Sequence, residues 1–350
     1  MIVTLLRKTW WQLILIGIAV YVGIRYTGNW KKKPSSPVTP TSARKADEIK
    51  LTILKKSRRL MKTYCEPSSD SCLIVEDRPT LSNDKLTVRR ALLYKDYDQM
   101  SVSSVDLETP EVLTWKNFNS RNWPINKKSI NSPAFELIAE LGFVMEALEV
   151  EPQEWQDVLM IGLGGGALSN YFSSVDSIKV NLTAVELNPL MKTIAKEWFG
   201  LQETPNYKVF IEDGVKFLEG AVQRGEKYKM IILDACDDVK QSLICPGKEF
   251  MKPSVIQDII KVLDSDGALI VNILCSRDNL ANEDKVLLMY KDQFTSCFHV
   301  RYSEAQRLVA CSHRKNWSIL DQMKRFEENI KAVESRLNFD MGRIIWKFNP

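Results

Sequence analysis

Apolar-rich runs of four to eight residues alternate with amphipathic stretches between residues 155 and 235. The runs cover residues 158–161, 178–185, 207–211 and 230–233. Runs of this length that end in turn residues are typical of buried parallel strands, and residues 215–224 have the pattern of a helix. The pattern therefore predicts an α/β fold with a parallel sheet.

The first run leads directly into a glycine-rich turn. Its glycines are Gly162, Gly164, Gly165 and Gly166. Glycine lets the backbone pass close to a ligand because it has no Cβ and tolerates a positive φ. The second run ends at Glu186, where a carboxylate can accept both hydroxyls of a ribose. A nucleoside-containing cofactor is therefore predicted at the carboxyl ends of the strands. With Ala167 the turn also fits the dinucleotide fingerprint, so the motif alone leaves S-adenosylmethionine and NAD open.

Acidic residues also follow the third and fourth runs. After the third run, Asp213 and Gly214 suit the exocyclic amine of an adenine, although Asp213 could instead simply cap the next helix. Asp234 ends the fourth run, and Asp237 follows shortly after it. An amine reacts only after losing its proton, and nearby carboxylates can orient it and accept that proton. We therefore expect Asp234 and Asp237 to be catalytic, with Asp234 also at the cofactor. The alternative for Asp237 is a solvated turn.

Residues 297–302 and 307–312 are strand-like runs that predict a terminal β-hairpin. Five earlier stretches, taken with this hairpin, resemble the class I methyltransferase core of the spermidine synthase-like group. They are VLMIGLGGGALSNYF, AVELNPLMKTIAKEWFG, IEDGVKFLE, ILDACDD and ALIVNILCSRD, within residues 155–313. The chain resembles in particular the C-terminal domain of the methyltransferase-like proteins that methylate translation elongation factor 1-alpha. The resemblance implies a Rossmann-like sheet that ends in an antiparallel hairpin, S-adenosylmethionine as cofactor, and a small β-rich domain that covers the site and assists a homodimer.

The same group contains aminopropyltransferases, which use decarboxylated S-adenosylmethionine to make polyamines. Those enzymes usually carry an acid in the glycine loop, whereas residues 164–166 of this chain are all glycine. A donor that bears a carboxylate is repelled by such an acid and accommodated without it. Methyl transfer to a protein or small-amine acceptor is therefore expected. Polyamine synthesis and a catalytically inactive, membrane-tethered binding module are the alternatives. The resemblance assigns the amine-orienting role to a D-x-x-D segment, which Asp234 and Asp237 reproduce, but Asp238 stands where the polyamine enzymes have proline.

The histidines and cysteines give little indication of catalysis or metal binding. His299 and His313 have no partner nearby in sequence, and the seven cysteines show neither a C-x-x-C pair nor zinc spacing. We therefore predict no metal site. An odd number of cysteines, several of them in predicted core strands, favours free thiols in a reducing environment. Cys65 and Cys72 are close enough in sequence to bridge in an oxidising compartment.

Residues 10–24 carry no charge and have basic residues on both sides. The segment predicts an uncleaved transmembrane helix that contacts the membrane through residues 9–26. The first 50 residues carry nine Lys and Arg and two acids, so their net charge is +7. Since the whole chain has a net charge of +4, the other 300 residues have a net charge of −3. Basic residues are denser on the C-terminal side, so we expect a cytosolic catalytic domain on an endomembrane or organelle surface. Asn181 and Asn316 begin glycosylation sequons, a number near chance.

The chain divides into five predicted parts. They are a membrane anchor at 1–28, a Pro/Ser-rich basic linker at 29–50, a small β-rich domain with a lead-in helix at 51–150, the methyltransferase core at 151–315, and an amphipathic helix and tail at 316–350. The apolar stripe of the last helix is expected to dock on the core. The slightly acidic soluble part argues against a nucleic-acid substrate, which requires a basic surface.

Overall fold

The computed structural model describes residues 40–66, 71–96, 101–237, 242–275, 281–303, 306–317, 320–337, 339 and 347–349. The predicted membrane anchor and residues 29–39 of the predicted linker lie outside these ranges, whereas residues 40–50 belong to a helix. Within them, every helix is too short or too polar to span a membrane.

The larger sheet has the strand arrangement that the apolar runs predict. Its strands are β5 (Gln156–Ile161), β6 (Val180–Glu186), β7 (Tyr207–Ile211), β8 (Tyr228–Leu233), β9 (Leu243–Cys245), β10 (Leu263–Cys275), β11 (Ser296–Arg301), β12 (Gln306–Ser312) and β13 (Lys347–Asn349). Their order is β13-β11-β12-β10-β8-β5-β6-β7, with β9 beside β10. Strands β5, β6, β7, β8 and β10 are parallel. The predicted hairpin, β11–β12, is present, and β12 is inserted antiparallel beside β10.

Helices cover both faces of this sheet. They are α2 (Pro133–Val144), α3 (Ala167–Ser174), α4 (Pro189–Trp198), α5 (Gly214–Arg224), α6 (Pro253–Val262), α7 (Ala281–Lys291) and α8 (Met323–Leu337). One apolar layer contains the inward side chains of α2 together with Met160 and Ile232, and the other contains those of α6 with Leu159 and Ile231. Phe326 and Val333 of α8 are buried in the first layer, so the C-terminal helix docks on the core as expected.

A second, smaller sheet precedes the core. It follows α1 (Pro40–Leu54) and consists of β1 (Arg59–Tyr64), β2 (Leu73–Ser82), β3 (Lys85–Tyr94) and β4 (Ser101–Asp106), all antiparallel. Its apolar face packs on α4 around Trp198 and Phe199. Buried Arg90 donates to Asp77 at 2.8 Å and to the carbonyl of Trp198 at 3.1 Å, which fixes the small sheet against the core.

The expectation of free thiols is wrong for Cys236, Cys245, Cys297 and Cys311, each of which forms a disulfide. Disulfides join Cys65 to Cys72, Cys236 to Cys245, and Cys297 to Cys311. The seventh cysteine, Cys275, is buried and belongs to none of these disulfides. Spacing along the sequence did not reveal the Cys297–Cys311 pair. This pair depends on strand register, because residues 297 and 311 lie directly opposite each other in the β11–β12 hairpin. The open alternative of a Cys65–Cys72 bridge is the one that the structure contains.

Candidate active site

The glycine turn lies at the carboxyl end of β5 and is packed too closely for side chains. Gly162 has a φ of 97°, and a Cβ there would collide with the backbone carbonyl of Asp234. A Cβ on Gly165 would lie 2.7 Å from the Cβ of Ser103, which belongs to the small sheet. Gly164 and Gly166 have φ values of 54° and 79°. Gly166 is also the residue before α3, so the turn leads straight into a helix N-terminus.

Glu186 ends β6 and is bound to this turn. One carboxylate oxygen accepts a hydrogen bond from the backbone N–H of Leu163 at 2.9 Å, and the other accepts one from Asn188 at 2.8 Å. Burial raises the pKa of Glu186, while backbone N–H donors from both sides act against that rise. The structure therefore brings the predicted ribose acid and the predicted glycine loop into direct contact.

Asp213 and Gly214 lie at the next strand end, where each has a structural role. Oδ1 of Asp213 accepts from the backbone N–H of Val215 at 2.8 Å and of Lys216 at 3.4 Å, so Asp213 caps α5. A Cβ on Gly214 would lie 2.6 Å from Cγ2 of Ile161, so glycine is needed there for close packing. Asp213 therefore caps the helix, as the alternative interpretation of the sequence had it. A role for Asp213 in binding adenine stays a prediction.

Asp234 lies at the end of β8, next to the glycine turn. Its backbone N–H donates to the carbonyl of Ile161 at 2.9 Å, and its Oδ1 accepts from the side-chain amide of Asn272 at 2.6 Å. Burial raises the pKa of Asp234 to about 6, the Asn272 bond lowers it, and the charge of Glu186 raises it. The carboxylate is thus ionised near neutral pH, but held in surroundings that favour an accompanying positive charge.

Asn272 and Tyr302 were not predicted as site residues. Side chains of Asp234, Asn272 and Tyr302 lie on the same face of the sheet, at the carboxyl ends of β8, β10 and β11. Asn272 and Tyr302 are 8% and 7% exposed. Among the described residues, Oδ1 of Asn272 and the hydroxyl of Tyr302 are buried without a hydrogen-bond partner. Negative charge on Asp234 adds to burial in raising the pKa of Tyr302. The available signal was one polar residue that interrupts the apolar run 268–274.

Asp237 holds the loop after β8 in shape. Its Oδ2 accepts from the backbone N–H of Lys248 at 2.8 Å, and its own N–H donates to the carbonyl of Ile244 at 2.8 Å. Disulfide Cys236–Cys245 spans the same loop. No hydrogen bond between Asp237 and Asp234 occurs in the described structure, so the turn alternative fits Asp237, and its catalytic role stays a prediction. Asp238 lies outside the described residues.

A carboxylate and two sulfurs lie close together at this loop. Ligand atoms of Asp234, Cys236 and Cys245 are within 4.8 Å of one another. Both sulfurs belong to the disulfide, so neither can act as a thiolate ligand.

Sequence comparisons identify relatives of part of the chain. No family model matches the chain. The chain is 24% identical over 171 residues to the eEF1A lysine and N-terminal methyltransferase homolog of Drosophila melanogaster, which covers 49% of this chain and 25% of that protein. It is 33% identical over 159 residues to the eEF1A lysine and N-terminal methyltransferase of Homo sapiens, with 44% and 22% covered. A polyamine aminopropyltransferase of Vibrio vulnificus is 28% identical over 115 residues, with 33% and 36% covered. The chain thus spans about a quarter of the length of the eEF1A enzymes that it matches.

Solved structures share the fold. Human methyltransferase-like protein 13 in complex with SAH superposes with a TM-score of 0.54 at 24% identity, covering 60% of this chain and 94% of that one. A probable spermidine synthase from Corynebacterium glutamicum superposes with a TM-score of 0.53 at 14% identity, covering 76% and 86%. The predicted resemblance is confirmed: this chain has the fold of the class I S-adenosylmethionine-dependent methyltransferases, and its sequence relatives include proteins named as eEF1A methyltransferases.

Proposed function

We propose that the chain transfers a methyl group from S-adenosylmethionine to an amine nitrogen of a protein or small molecule. One observation carries the proposal: adjacent strand ends bring together a glycine turn, the acid bound to it, and the half-buried Asp234. The relatives named as methyltransferases, and the neighbour solved with SAH, support the same cofactor.

The donor side of the site fits this cofactor. Backbone N–H groups of Leu163 and Asn188 hold the Glu186 carboxylate against the glycine turn, at the strand end where the ribose of the donor would bind. Residues 164–166 of the turn carry no Cβ, and the turn leads into the N-terminus of α3. A carboxylate on the donor is compatible with this turn because the turn contains no acid.

The acceptor side suits an amine. Carboxylate oxygens of Asp234, Oδ1 of Asn272 and the Tyr302 hydroxyl are three hydrogen-bond acceptors on one face, and a primary ammonium has three N–H donors. With a pKa of about 6, Asp234 is ionised at neutral pH and attracts the ammonium form. S-adenosylmethionine supplies the methyl group when bound. The chain's contribution is to align the nitrogen and to let its proton leave towards Asp234 or solvent.

Aminopropyl transfer is the second candidate because one relative is named as a polyamine aminopropyltransferase. The two functions differ in the donor. A carboxylated donor fits a loop of three glycines, whereas the decarboxylated donor has a free amine that this loop gives no acid to hold. We therefore favour methyl transfer.

Calorimetric titration of the full chain in detergent tests the donor. S-adenosylmethionine should bind more tightly than its decarboxylated form. Glu186→Gln should weaken binding by about tenfold or more, since a charge-assisted hydrogen bond contributes about 1.5–3 kcal/mol. The matched control is Glu212→Gln, an exposed acid at the neighbouring strand end. Preference for the decarboxylated donor would support polyamine synthesis. Binding of neither donor would support the remaining alternative, a catalytically inactive, membrane-tethered binding module.

Membrane attachment and self-association rest on the sequence and the resemblance. We propose that residues 9–26 anchor the protein, which predicts that the full chain stays in the membrane fraction after alkaline carbonate extraction while a chain lacking residues 1–28 is released. A homodimer is tested by the sedimentation of the detergent-free core.

A further inference from the structure

The pairing of the cysteines gives information on the redox state of the compartment that contains the catalytic domain. Three disulfides lie in three separate parts of the fold, and together they use six of the seven cysteines. Cys297 and Cys311 are opposite one another in the antiparallel hairpin of the core sheet. Cys65 and Cys72 follow β1 and precede β2, beside the paired residues Tyr64 and Leu73. Both pairings are set by strand register, not by chance proximity of mobile side chains.

The third disulfide is open to solvent at the candidate active site. Cys236 is exposed, two residues after Asp234, and Cys245 is buried at the end of β9. Backbone hydrogen bonds from Asp237 to Ile244 and from Gly247 to Ala235 run alongside the bridge. Thiol–disulfide exchange requires access to a sulfur, and the cytosolic glutathione pool keeps such exposed pairs reduced. An exposed structural disulfide is therefore stable only in an oxidising compartment.

The two sequons differ in the folded chain. Asn181 lies within β6, and its amide donates to Oδ1 of Asp157 at 3.1 Å on the neighbouring strand. Asn316 is exposed in the turn after β12 and has a φ of 52°. A glycan is bulky and needs an open surface position. Asn316 offers one, whereas a glycan on Asn181 would disrupt the bond between two core strands.

From these observations we infer that the catalytic domain lies on the oxidising side of a membrane, lumenal or extracellular, and that Asn316 is its site of N-linked glycosylation. This reverses the orientation expected from the basic residues. Arg7 and Lys8 precede residues 10–24, and Arg25 and the lysines at 31–33 follow them, so that expectation rests on a difference of two nearby positive charges.

The orientation also restricts the acceptor, provided that the proposed function holds. The methylated amine must belong to a protein or small molecule that is present in the oxidising compartment. An acceptor confined to the cytosol could not reach this site. The donor must also be carried across the membrane, because the reaction consumes one S-adenosylmethionine for each methyl group transferred.

Counting thiols in the full chain tests the inference. The chain would be produced in cultured animal cells, acid-quenched, and alkylated in denaturant without reductant. One alkylated cysteine, Cys275, is expected, and reduction should expose six more. Cys275→Ser should leave none, and Cys236→Ser should add one by freeing Cys245. Alkylation of all seven cysteines before reduction would overturn the assignment.

Glycan analysis tests the same orientation independently. Peptide N-glycosidase should lower the mass of the wild-type chain by one glycan. Asn316→Gln should abolish that shift, and Asn181→Gln should leave it unchanged. A chain without any glycan, or one with its glycan on Asn181, would refute the Asn316 site. Neither assay involves donor binding or methyl transfer, so a failure here is distinguishable from a failure of the proposed function.

Discussion

Replacement of Asp234 by asparagine should stabilise the folded protein while it impairs methyl transfer. Burial raises the pKa of Asp234 from 3.8 to about 6. A difference of about two pH units corresponds to about 3 kcal/mol, the upper limit of what ionisation of this carboxylate costs the folded state. The asparagine side chain would carry no charge at this position, and its oxygen could still accept the hydrogen bond from Asn272.

The stabilisation should depend on pH in a defined direction. The pKa in the folded state lies above that in the unfolded state, so protonation of Asp234 favours folding below about pH 4. This contribution is lost as the pH rises through about 6. Asp234→Asn should therefore unfold at the same temperature as the wild type near pH 4, and at a higher temperature near pH 8. A gain of 1 kcal/mol corresponds to about 2–4 °C in a core of this size.

Thermal unfolding without donor, at both pH values, measures this difference. Asp237→Asn is the control because its carboxylate lies in the surface loop and binds the Lys248 backbone N–H. Methyl transfer, followed with labelled donor and a protein extract, should fall at least about 100-fold for Asp234→Asn if the carboxylate orients the amine. Equal stabilisation at pH 4 and pH 8, or a loss of stability at pH 8, would refute the account of Asp234.

Three further substitutions test neighbouring parts of the site. Asn272→Ala removes a hydrogen bond that lowers the pKa of Asp234, so the acidic limb of kcat/KM should move up by about 0.5–1 pH unit; an unchanged profile would contradict this. Glu186→Gln should also lower the unfolding temperature, because the amide NH2 group would replace one of the two oxygens that accept backbone N–H groups. Gly162→Ala should abolish donor binding, since its Cβ meets a backbone carbonyl. The matched control is Gly225→Ala. Gly225 also has a positive φ, but no atom lies near the position of its added Cβ, so this substitution should cost only about 1 kcal/mol of stability.

The parts of the site that the sequence predicted depend on local pattern. Gly162 and Glu186 each lie at the end of an apolar run, and parallel strands place their carboxyl ends at one edge of the sheet. Asp234 could be predicted for the same reason. Each of these assignments needed only the direction of a strand and the residue at its end, which a single sequence contains.

Other features depend on pairings between distant segments, which a single sequence does not specify. Asn272 reaches Asp234 because β10 is parallel to β8 in a particular register, and Tyr302 lies on the same face through β12 and β11. The Cys297–Cys311 bridge has the same origin. A register shift of one residue would turn all these side chains to the opposite face of the sheet. Spacing along the chain therefore could not reveal them.

The Cys236–Cys245 disulfide lies beside Asp234, and the two contribute to stability with opposite signs. Ionised Asp234 costs the folded state up to about 3 kcal/mol. Closure of the loop between Cys236 and Cys245 stabilises the fold by about 2–3 kcal/mol in the chain-entropy description. Without this bridge the segment that follows Asp234 would lose that stabilisation. The two contributions are of similar size and opposite sign, so the Cys236–Cys245 bridge offsets the cost of the ionised carboxylate beside it.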